Sequence, residues 1–335
     1  MSRTRRQPSA PHQPLLEDGL VVGTHGRHCV VEAARGQRVI CHPRGKKLTV
    51  VVGDRVRWLP SQDEGTIEQV QPRRNLLYRQ DEVRTKSFAA NLDQVLILVA
   101  AEPEFSENQL ARALIACEAE HIAPLIVLNK ADLATPFTRA WQRLAPYRTM
   151  GYTVLPIAAK PNGVVPNDAS DHAPPTCALD DLAARLQGCT TLILGPSGAG
   201  KSTLINRLVP SANAATGDIS LALGSGRHTT TTTRWYWLDG AHRSALIDSP
   251  GFQEFGLRHI DPMQLAAYMP DIKPHVAGCK FYNCTHLHEP GCGVMAQVQP
   301  DQKPDEKSDL SALHISATRY KIYSNLVQEL KLRSM

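Results

Sequence analysis

The segment GPSGAGKST, residues 195–203, has the residue types and spacing that bind a phosphate chain. Its glycines allow backbone N–H groups to converge on phosphate oxygens, where side chains would obstruct them. Lys201 can reach the terminal phosphates, and Ser202 can bind Mg²⁺. An apolar run precedes the segment and a helical pattern follows it, so we expect the positive end of a helix to face the phosphates. The candidate phosphate-binding residues are Gly195, Pro196, Ser197, Gly198, Ala199, Gly200, Lys201, Ser202 and Thr203.

A second motif, NKAD at residues 129–132, can recognise a guanine base. Asn129 can hydrogen-bond to the base edge, and the stem of Lys130 can lie over the ring. The Asp132 carboxylate can accept from both guanine N1–H and the exocyclic amine. Adenine offers neither donor, and a buried carboxylate left without partners costs about 1–3 kcal/mol or more. The candidate base-binding residues are Asn129, Lys130, Ala131 and Asp132, with a weaker contact at Ala158 in IAAK, where GTP-binding proteins usually carry serine.

Two further segments could bind Mg²⁺ and the terminal phosphate. DSPG, residues 248–251, follows an apolar run, so Asp248 could hold Mg²⁺ through water and the Gly251 amide could contact the terminal phosphate. GRHTTTTTRW contains five consecutive threonines from Thr229 to Thr233. A threonine in such a loop can coordinate Mg²⁺ and close over the phosphate, and we favour Thr230 for this role. The alternative is a β-prone threonine run without a ligand role.

The order of these motifs is unusual, because the base motif precedes the phosphate loop by 66 residues. Either one motif is accidental or the domain is rearranged. A circular permutation accounts for all of them, since a parallel sheet can be opened at one surface loop and rejoined at another. The sequence therefore predicts a permuted nucleotide-binding domain.

The C-terminal region contains a cluster of possible metal ligands. Cys279, Cys284 and Cys292 lie close together in sequence, while the other five cysteines are scattered. Such a cluster indicates a metal site rather than a disulfide framework. The residues alone leave the fourth ligand open between His286, His288 and the more distant His275.

Composition and charge narrow the choice of partners. The 335 residues carry a net charge of +5, and no apolar run approaches the ~20 residues that cross a bilayer, so we expect a cytoplasmic protein with no membrane partner. Residues 27–86 hold 13 Lys and Arg against 7 Asp and Glu, which favours a polyanion partner over a merely solvated basic surface. The RNA-binding candidates are Arg35, Arg38, Arg44, Lys46, Lys47, Arg55 and Arg57, with Trp58 either a stacking group or, more simply, a core residue.

The pattern of elements gives the fold class. Four or five short β-like runs within residues 20–71 predict a small barrel of the OB type, with an SH3-like barrel as the alternative. Strands then alternate with helices, which predicts an α/β domain with a parallel sheet. Beyond about Leu257 we expect a helical region. The predicted divisions are a disordered basic tail at 1–18, an OB-fold RNA-binding domain at 19–85, a circularly permuted P-loop GTPase domain at 86–258 and a helical zinc-binding domain at 259–335.

The chain resembles the ribosome small-subunit-dependent GTPase A family, RsgA (also called YjeQ or EngC). The resemblance rests on the permuted motifs, on GRHTTT and DSPGFQEFGL, and on the spacing of Cys279, Cys284, His286 and Cys292. It implies one structural zinc ion held by those four residues, and Mg²⁺ bound with GTP. It also implies a monomer that binds the small ribosomal subunit and its rRNA late in assembly, with GTP hydrolysis stimulated by the subunit.

The hydrolytic group is less evident, because Phe252 follows Gly251 where Ras-like proteins carry a water-orienting glutamine. His228 on the threonine loop is our candidate, brought to the attacking water when the ribosome orders the loop. The alternative is a histidine that contacts only RNA or solvent. For the whole protein, the alternatives are a nucleotide-gated rRNA-binding module with little turnover and a large-subunit assembly GTPase.

Overall fold

The structure is a computed structural model that describes residues 15–26, 28–45, 48–61, 64–81, 85–160, 179–212, 233–250, 252, 255–301 and 314–332. The chain forms two compact units, Met1–Arg73 and Arg74–Met335. Within the described residues, no helix is both long enough and apolar enough to span a membrane.

The first unit is a five-stranded barrel. Its strands are β1 (Glu17–His25), β2 (His28–Ala33), β3 (Arg38–Pro43), β4 (Arg55–Leu59) and β5 (Gly65–Val70). β1 pairs with both β2 and β4, so the sheet closes on itself. The β2–β3 and β4–β5 pairs are antiparallel, whereas β3 and β5 are parallel. This closed arrangement agrees with the predicted OB-type barrel.

Trp58 belongs to the core of this barrel. Its side chain is only 2% exposed and packs with Val31, Cys41 and Ile67. Gly65 provides the space, because a Cβ at that position would lie 2.5 Å from Trp58 Cε3. Trp58 therefore stabilises the barrel and is not available to stack on a nucleic-acid base.

The second unit contains a sheet formed by β8 (Gln94–Ala100), β9 (Ala123–Asn129), β10 (Thr153–Pro156), β11 (Thr190–Leu194), β12 (Thr233–Trp237) and β13 (Ala245–Asp248). These strands lie in the order β10-β9-β8-β11-β13-β12. All neighbouring pairs are parallel except β12 and β13, which are antiparallel. The helices are α1 (Glu107–Ala119), α2 (Ala134–Arg143), α3 (Ala145–Thr149), α4 (Leu179–Leu186) and α5 (Lys201–Leu208).

The position of β11 explains where a ligand can bind. β9, which follows β8 and α1 in the chain, lies beside β8 on one side of the sheet. β11 lies on the opposite side of β8, and β13 lies beyond β11. Open α/β sheets bind ligands outside the carboxyl ends of their strands, at the point where the strand order reverses. That point lies between β8 and β11, and β11 is the strand that leads into the phosphate-loop sequence.

A hairpin that the sequence did not predict precedes this sheet. Its strands β6 (Leu76–Gln80) and β7 (Thr85–Ala90) are antiparallel and form a separate two-stranded sheet.

The C-terminal region is less regular than the helical expectation. Its described part has short 3₁₀ turns, a two-residue pairing of β14 (Val298–Gln299) with β15 (Ile315–Ser316), and one long helix, α6 (Ala317–Lys331). Pro270, Pro274 and Gly278 prevent a regular helix in the first turns. The apolar stripe of α6 is buried, as predicted for a packing face, at Ile322, Tyr323, Leu326 and Leu330.

Candidate nucleotide-binding site and metal centre

The phosphate-loop sequence forms a tight turn between β11 and α5. Gly198 and Gly200 have φ angles of 81° and 94°, in the left-handed region that favours glycine. Gly195 passes so close to β8 that a Cβ there would lie 2.7 Å from the Leu98 carbonyl oxygen. α5 begins at Lys201, directly after the turn. The predicted strand, loop and helix are therefore present, with the amino end of the helix at the loop.

Asn129 connects the base motif to this loop. Its side chain is 3% exposed. Nδ2 donates to the Ala199 carbonyl oxygen at 2.8 Å, and Oδ1 accepts from the Ala159 N–H at 3.0 Å. The amide thus joins the phosphate loop to the segment after β10. The sequence predicted a contact with the base edge, and the structure adds this internal bridge.

The remaining base-motif residues surround the same edge of the sheet. Lys130 has a φ of 70°, and its ammonium group donates to the Glu102 carbonyl oxygen in the loop after β8. The Ala131 N–H donates to the Ile157 carbonyl oxygen at 3.0 Å, which fixes the motif beside IAAK. Asp132 and Ala158 are both partly exposed. The side chain of Asp132 is therefore accessible to a ligand at this edge.

Lys201 and Asp248 meet at the ends of two adjacent strands. Ile193 of β11 lies opposite Asp248 of β13 in the sheet register. The Lys201 ammonium group forms an ion pair with Asp248 Oδ1, and both side chains are largely buried. The structure therefore brings the lysine of the phosphate loop to the first carboxylate of DSPG.

Only part of the threonine loop lies within the described residues. Thr233 is buried at the start of β12, where its hydroxyl lies 3.0 Å from the Ser249 hydroxyl, so this last threonine has a structural role. His228, Thr230 and Gly251 lie outside the described residues.

Lys86 lies beside the DSPG segment, although no sequence pattern indicated it. It lies on β7, and its ammonium group donates to the Pro250 carbonyl oxygen within DSPG. No local pattern marks it, because the two residues are 164 positions apart.

The C-terminal cluster brings Cys279, Cys284, His286 and Cys292 together, with one potential ligand atom from each within 4.8 Å of the others. Cys279 Sγ lies 3.9 Å from Cys292 Sγ and 3.3 Å from His286 Nδ1. A tetrahedral zinc ion with Zn–S bonds of about 2.3 Å separates its sulfur ligands by roughly 3.8 Å. These residues therefore fit a zinc ion.

The choice between the candidate histidines follows from their positions. His286 is 5% exposed and belongs to the cluster, whereas His288 is exposed and, within the described residues, neither it nor His275 is part of the cluster. Burial lowers the pKa of His286 below its ordinary value, which favours the neutral imidazole that binds a metal.

Glu289 organises the loop that carries the metal ligands, and no sequence pattern marked it. Its carboxylate accepts from the N–H and hydroxyl of Thr285 at 2.8 and 2.6 Å, and from the Leu287 N–H at 3.2 Å. Helix α6 supports the same loop, since the Tyr320 hydroxyl donates to the His286 carbonyl oxygen at 2.7 Å. From the buried stripe of α6, the Tyr323 hydroxyl donates to the Thr285 carbonyl oxygen at 3.1 Å, so α6 helps to position the cluster.

On the barrel, several basic candidates already have acidic partners. Arg38 pairs with Glu32 at 2.9 Å, and Arg44 with Glu68 at 2.5 Å. Arg57 lies 3.5 Å from Asp18. Arg35 and Arg55 are exposed, while Lys46 and Lys47 lie outside the described residues.

Comparisons with known proteins agree with this geometry. Residues 70–258 match the family model described as RsgA GTPase. A Variovorax paradoxus (strain S110) protein named "Small ribosomal subunit biogenesis GTPase RsgA" is 63% identical over 328 residues, 98% of this chain and 97% of that protein. A Burkholderia pseudomallei (strain K96243) protein of the same name is 49% identical over 329 residues, 97% and 96% of the two chains.

Solved structures show the same architecture. YjeQ from Thermotoga maritima superposes with a TM-score of 0.67 at 27% identity, covering 95% of this chain and all of that one (100%). YloQ, described as a circularly permuted GTPase, gives a TM-score of 0.63 at 24% identity, over 97% and 99% of the two chains. The resemblance and the permutation predicted from the motif order are thereby confirmed: the chain is a GTP hydrolase with a circularly permuted GTPase domain, and it belongs to the RsgA GTPase family.

Proposed function

We propose that this GTPase acts in the assembly of the small ribosomal subunit, and that it binds the subunit with GTP and leaves after hydrolysis. The near full-length similarity to proteins named for small-subunit biogenesis supports this role. GTP binding is supported by the positions of three residues, which lie at the edge of the sheet formed by the carboxyl ends of β9, β11 and β13: Asn129, Lys201 and Asp248.

The phosphate loop, residues 195–203, holds the phosphates, and the partly exposed Asp132 recognises the guanine. Lys130 and Ala158 complete the base site. Lys201 is paired with Asp248 in the structure. When GTP binds, Lys201 turns to the terminal phosphates. Asp248 would then hold Mg²⁺ through water, and Ser202 and Thr230 would be its direct ligands. The bound ion would supply positive charge against the phosphates.

For hydrolysis we assign His228 as the group that orients water, with the Gly251 amide at the terminal phosphate. Phe252, which occupies the position of the usual glutamine, is 4% exposed and has no polar side-chain atom. Intrinsic turnover is therefore slow, and contact with the subunit accelerates it by bringing His228 to the attacking water.

The zinc ion has a structural role. Three thiolates and one imidazole leave no open coordination position for catalysis. We assign the ion to Cys279, Cys284, His286 and Cys292.

Binding to rRNA is assigned to the barrel, where Arg35 and Arg55 are exposed. The protein acts in the cytoplasm as a monomer. Arginines already paired with Glu32 or Glu68 contribute less, because RNA must displace a carboxylate first.

Co-sedimentation with purified ribosomal subunits tests this function. We expect association with small subunits in the presence of a non-hydrolysable GTP analogue, weaker association with GDP, and little with large subunits. A double variant with Arg35→Gln and Arg55→Gln should bind small subunits more weakly. Its binding should also depend less on salt concentration. Equal association with both subunits, or none in any nucleotide state, would overturn the proposal.

A further inference from the structure

The hairpin β6–β7 lies against the chain segment that follows DSPG. The Gln80 N–H donates to the Gly256 carbonyl oxygen at 3.0 Å, and the Arg258 N–H donates to the Gln80 carbonyl oxygen at 3.0 Å. The contact is so close at Gly256 that a Cβ there would collide with the Gln80 carbonyl oxygen. Main-chain bonds at Gly256 and Arg258 therefore fix this segment to β6.

Aromatic packing holds the same two segments together. The rings of Phe88 on β7 and Phe255 stack with centroids 5.5 Å apart and an interplanar angle of 10°. Both side chains are 1% exposed. Phe252 packs against Phe255 with centroids 6.5 Å apart. Phe252, which directly follows DSPG, is thus connected to the hairpin through a buried aromatic cluster.

Lys86 extends this attachment into DSPG itself. Its ammonium group donates to the Pro250 carbonyl oxygen and lies 5.5 Å from the centre of the Phe88 ring. Lys86 is partly buried. Burial, together with the cations of Arg79 and Lys201, lowers the pKa of Lys86 below its ordinary value. A carbonyl oxygen of DSPG therefore accepts a hydrogen bond from the partly buried side chain of Lys86.

We propose that Lys86 is a positioning residue for recognition of the terminal phosphate, because it holds the Pro250 carbonyl and so restrains the DSPG segment against β7. A bond to this carbonyl oxygen restrains Pro250, which directly follows Asp248 and Ser249. This inference rests on the proposed role of DSPG at the terminal phosphate. GDP lacks that phosphate, so the restraint favours GTP over GDP.

Nucleotide titration of variants tests the inference. A fluorescent non-hydrolysable GTP analogue and the matching GDP probe are titrated into wild-type protein, Lys86→Met, Lys86→Arg and Lys321→Met. Lys321 is an exposed residue of α6 and serves as the matched control. We expect Lys86→Met to weaken binding of the GTP analogue roughly tenfold, which corresponds to about 1.4 kcal/mol. GDP binding should change less than about twofold, and Lys86→Arg should recover most of the loss because it retains a cationic donor.

Three outcomes would overturn the inference: equal weakening for both nucleotides, no weakening for either, or an arginine variant no better than methionine. If Lys86→Met does not fold, as judged by circular dichroism, Lys86→Gln replaces it under the same criteria. The wild-type titration separates the two proposals. Wild-type protein that binds no guanine nucleotide would overturn the proposed nucleotide site as well, whereas normal wild-type binding with an unaffected Lys86 variant overturns the Lys86 inference alone.

Discussion

Replacement of Asn129 by alanine separates two roles that this residue could have. If Asn129 contacted only the nucleotide, its loss would reduce affinity and leave the free protein unchanged. In the structure its side chain also bonds within the protein, to the Ala199 carbonyl oxygen and the Ala159 N–H. We therefore expect Asn129→Ala to destabilise the nucleotide-free protein.

The magnitude follows from the two partners left behind. Both bonds are buried, and each backbone group that loses its partner in a buried site costs about 1–3 kcal/mol. A water molecule in the space left by the side chain would satisfy part of this hydrogen bonding. We therefore expect the free energy of unfolding to fall by about 2–4 kcal/mol. In a domain of this size each kcal/mol lowers the unfolding midpoint by about 2–4 °C. The expected shift is thus at least about 4 °C.

Thermal unfolding without nucleotide, followed by circular dichroism, measures this loss. Asn108→Ala is the matched control, because Asn108 is exposed on α1 and its replacement should cost less than about 0.5 kcal/mol. A midpoint for Asn129→Ala equal to that of the control would refute the bridging role. A loss of GTP affinity alone would then assign Asn129 solely to the base.

Three other predictions concern the second unit. Purified protein should contain about one zinc ion per chain, measured by atomic emission. Cys284→Ser should lose the ion, whereas the control variant Cys189→Ser should retain it. An unchanged zinc content in Cys284→Ser would contradict the site. Asp271 and Arg319 form a buried ion pair with hydrogen bonds of 2.7 and 2.9 Å. Asp271→Ala should therefore lower the free energy of unfolding, measured with denaturant, by about 3–5 kcal/mol. A decrease below about 1 kcal/mol would contradict this prediction. Burial raises the pKa of the Tyr147 hydroxyl from 10.0 to about 12. As the pH rises, this hydroxyl therefore loses its proton in the unfolded chain before it does so in the folded protein. Its contribution to the free energy of unfolding is fully present below pH 10 and falls by up to about 1.4 kcal/mol per pH unit towards pH 12. Tyr147→Phe should remove that part of the alkaline decline, and an unaltered pH profile would argue against it.

The parts of the site that the sequence predicted are those formed by residues close together in the chain. The phosphate loop is a strand, a turn and a helix within residues 190–208, so its glycines, Lys201 and the helix start could be read directly. The apolar runs of β8 and β9 likewise marked buried parallel strands. The barrel was predicted for the same reason, since its turns separate strands that are neighbours in sequence.

The parts that the sequence missed depend on contacts between distant segments. Lys86 meets Pro250 across 164 residues, and Gln80 meets Gly256 across a similar distance, so no local pattern marks either contact. Glu289 acts through backbone N–H groups, which have no side-chain signature. Asn129 belonged to a recognised motif, yet its bonds to Ala199 and Ala159 became visible only in the folded sheet.

GTP turnover by the purified protein, alone and with isolated small or large ribosomal subunits, tests the central claim most directly, with ATP as the control. We predict slow intrinsic turnover, strong stimulation by small subunits only, and no comparable hydrolysis of ATP. His228→Ala should then remove the stimulation and leave GTP binding intact. Stimulation by large subunits instead, or none by either subunit despite tight GTP binding, would contradict the account.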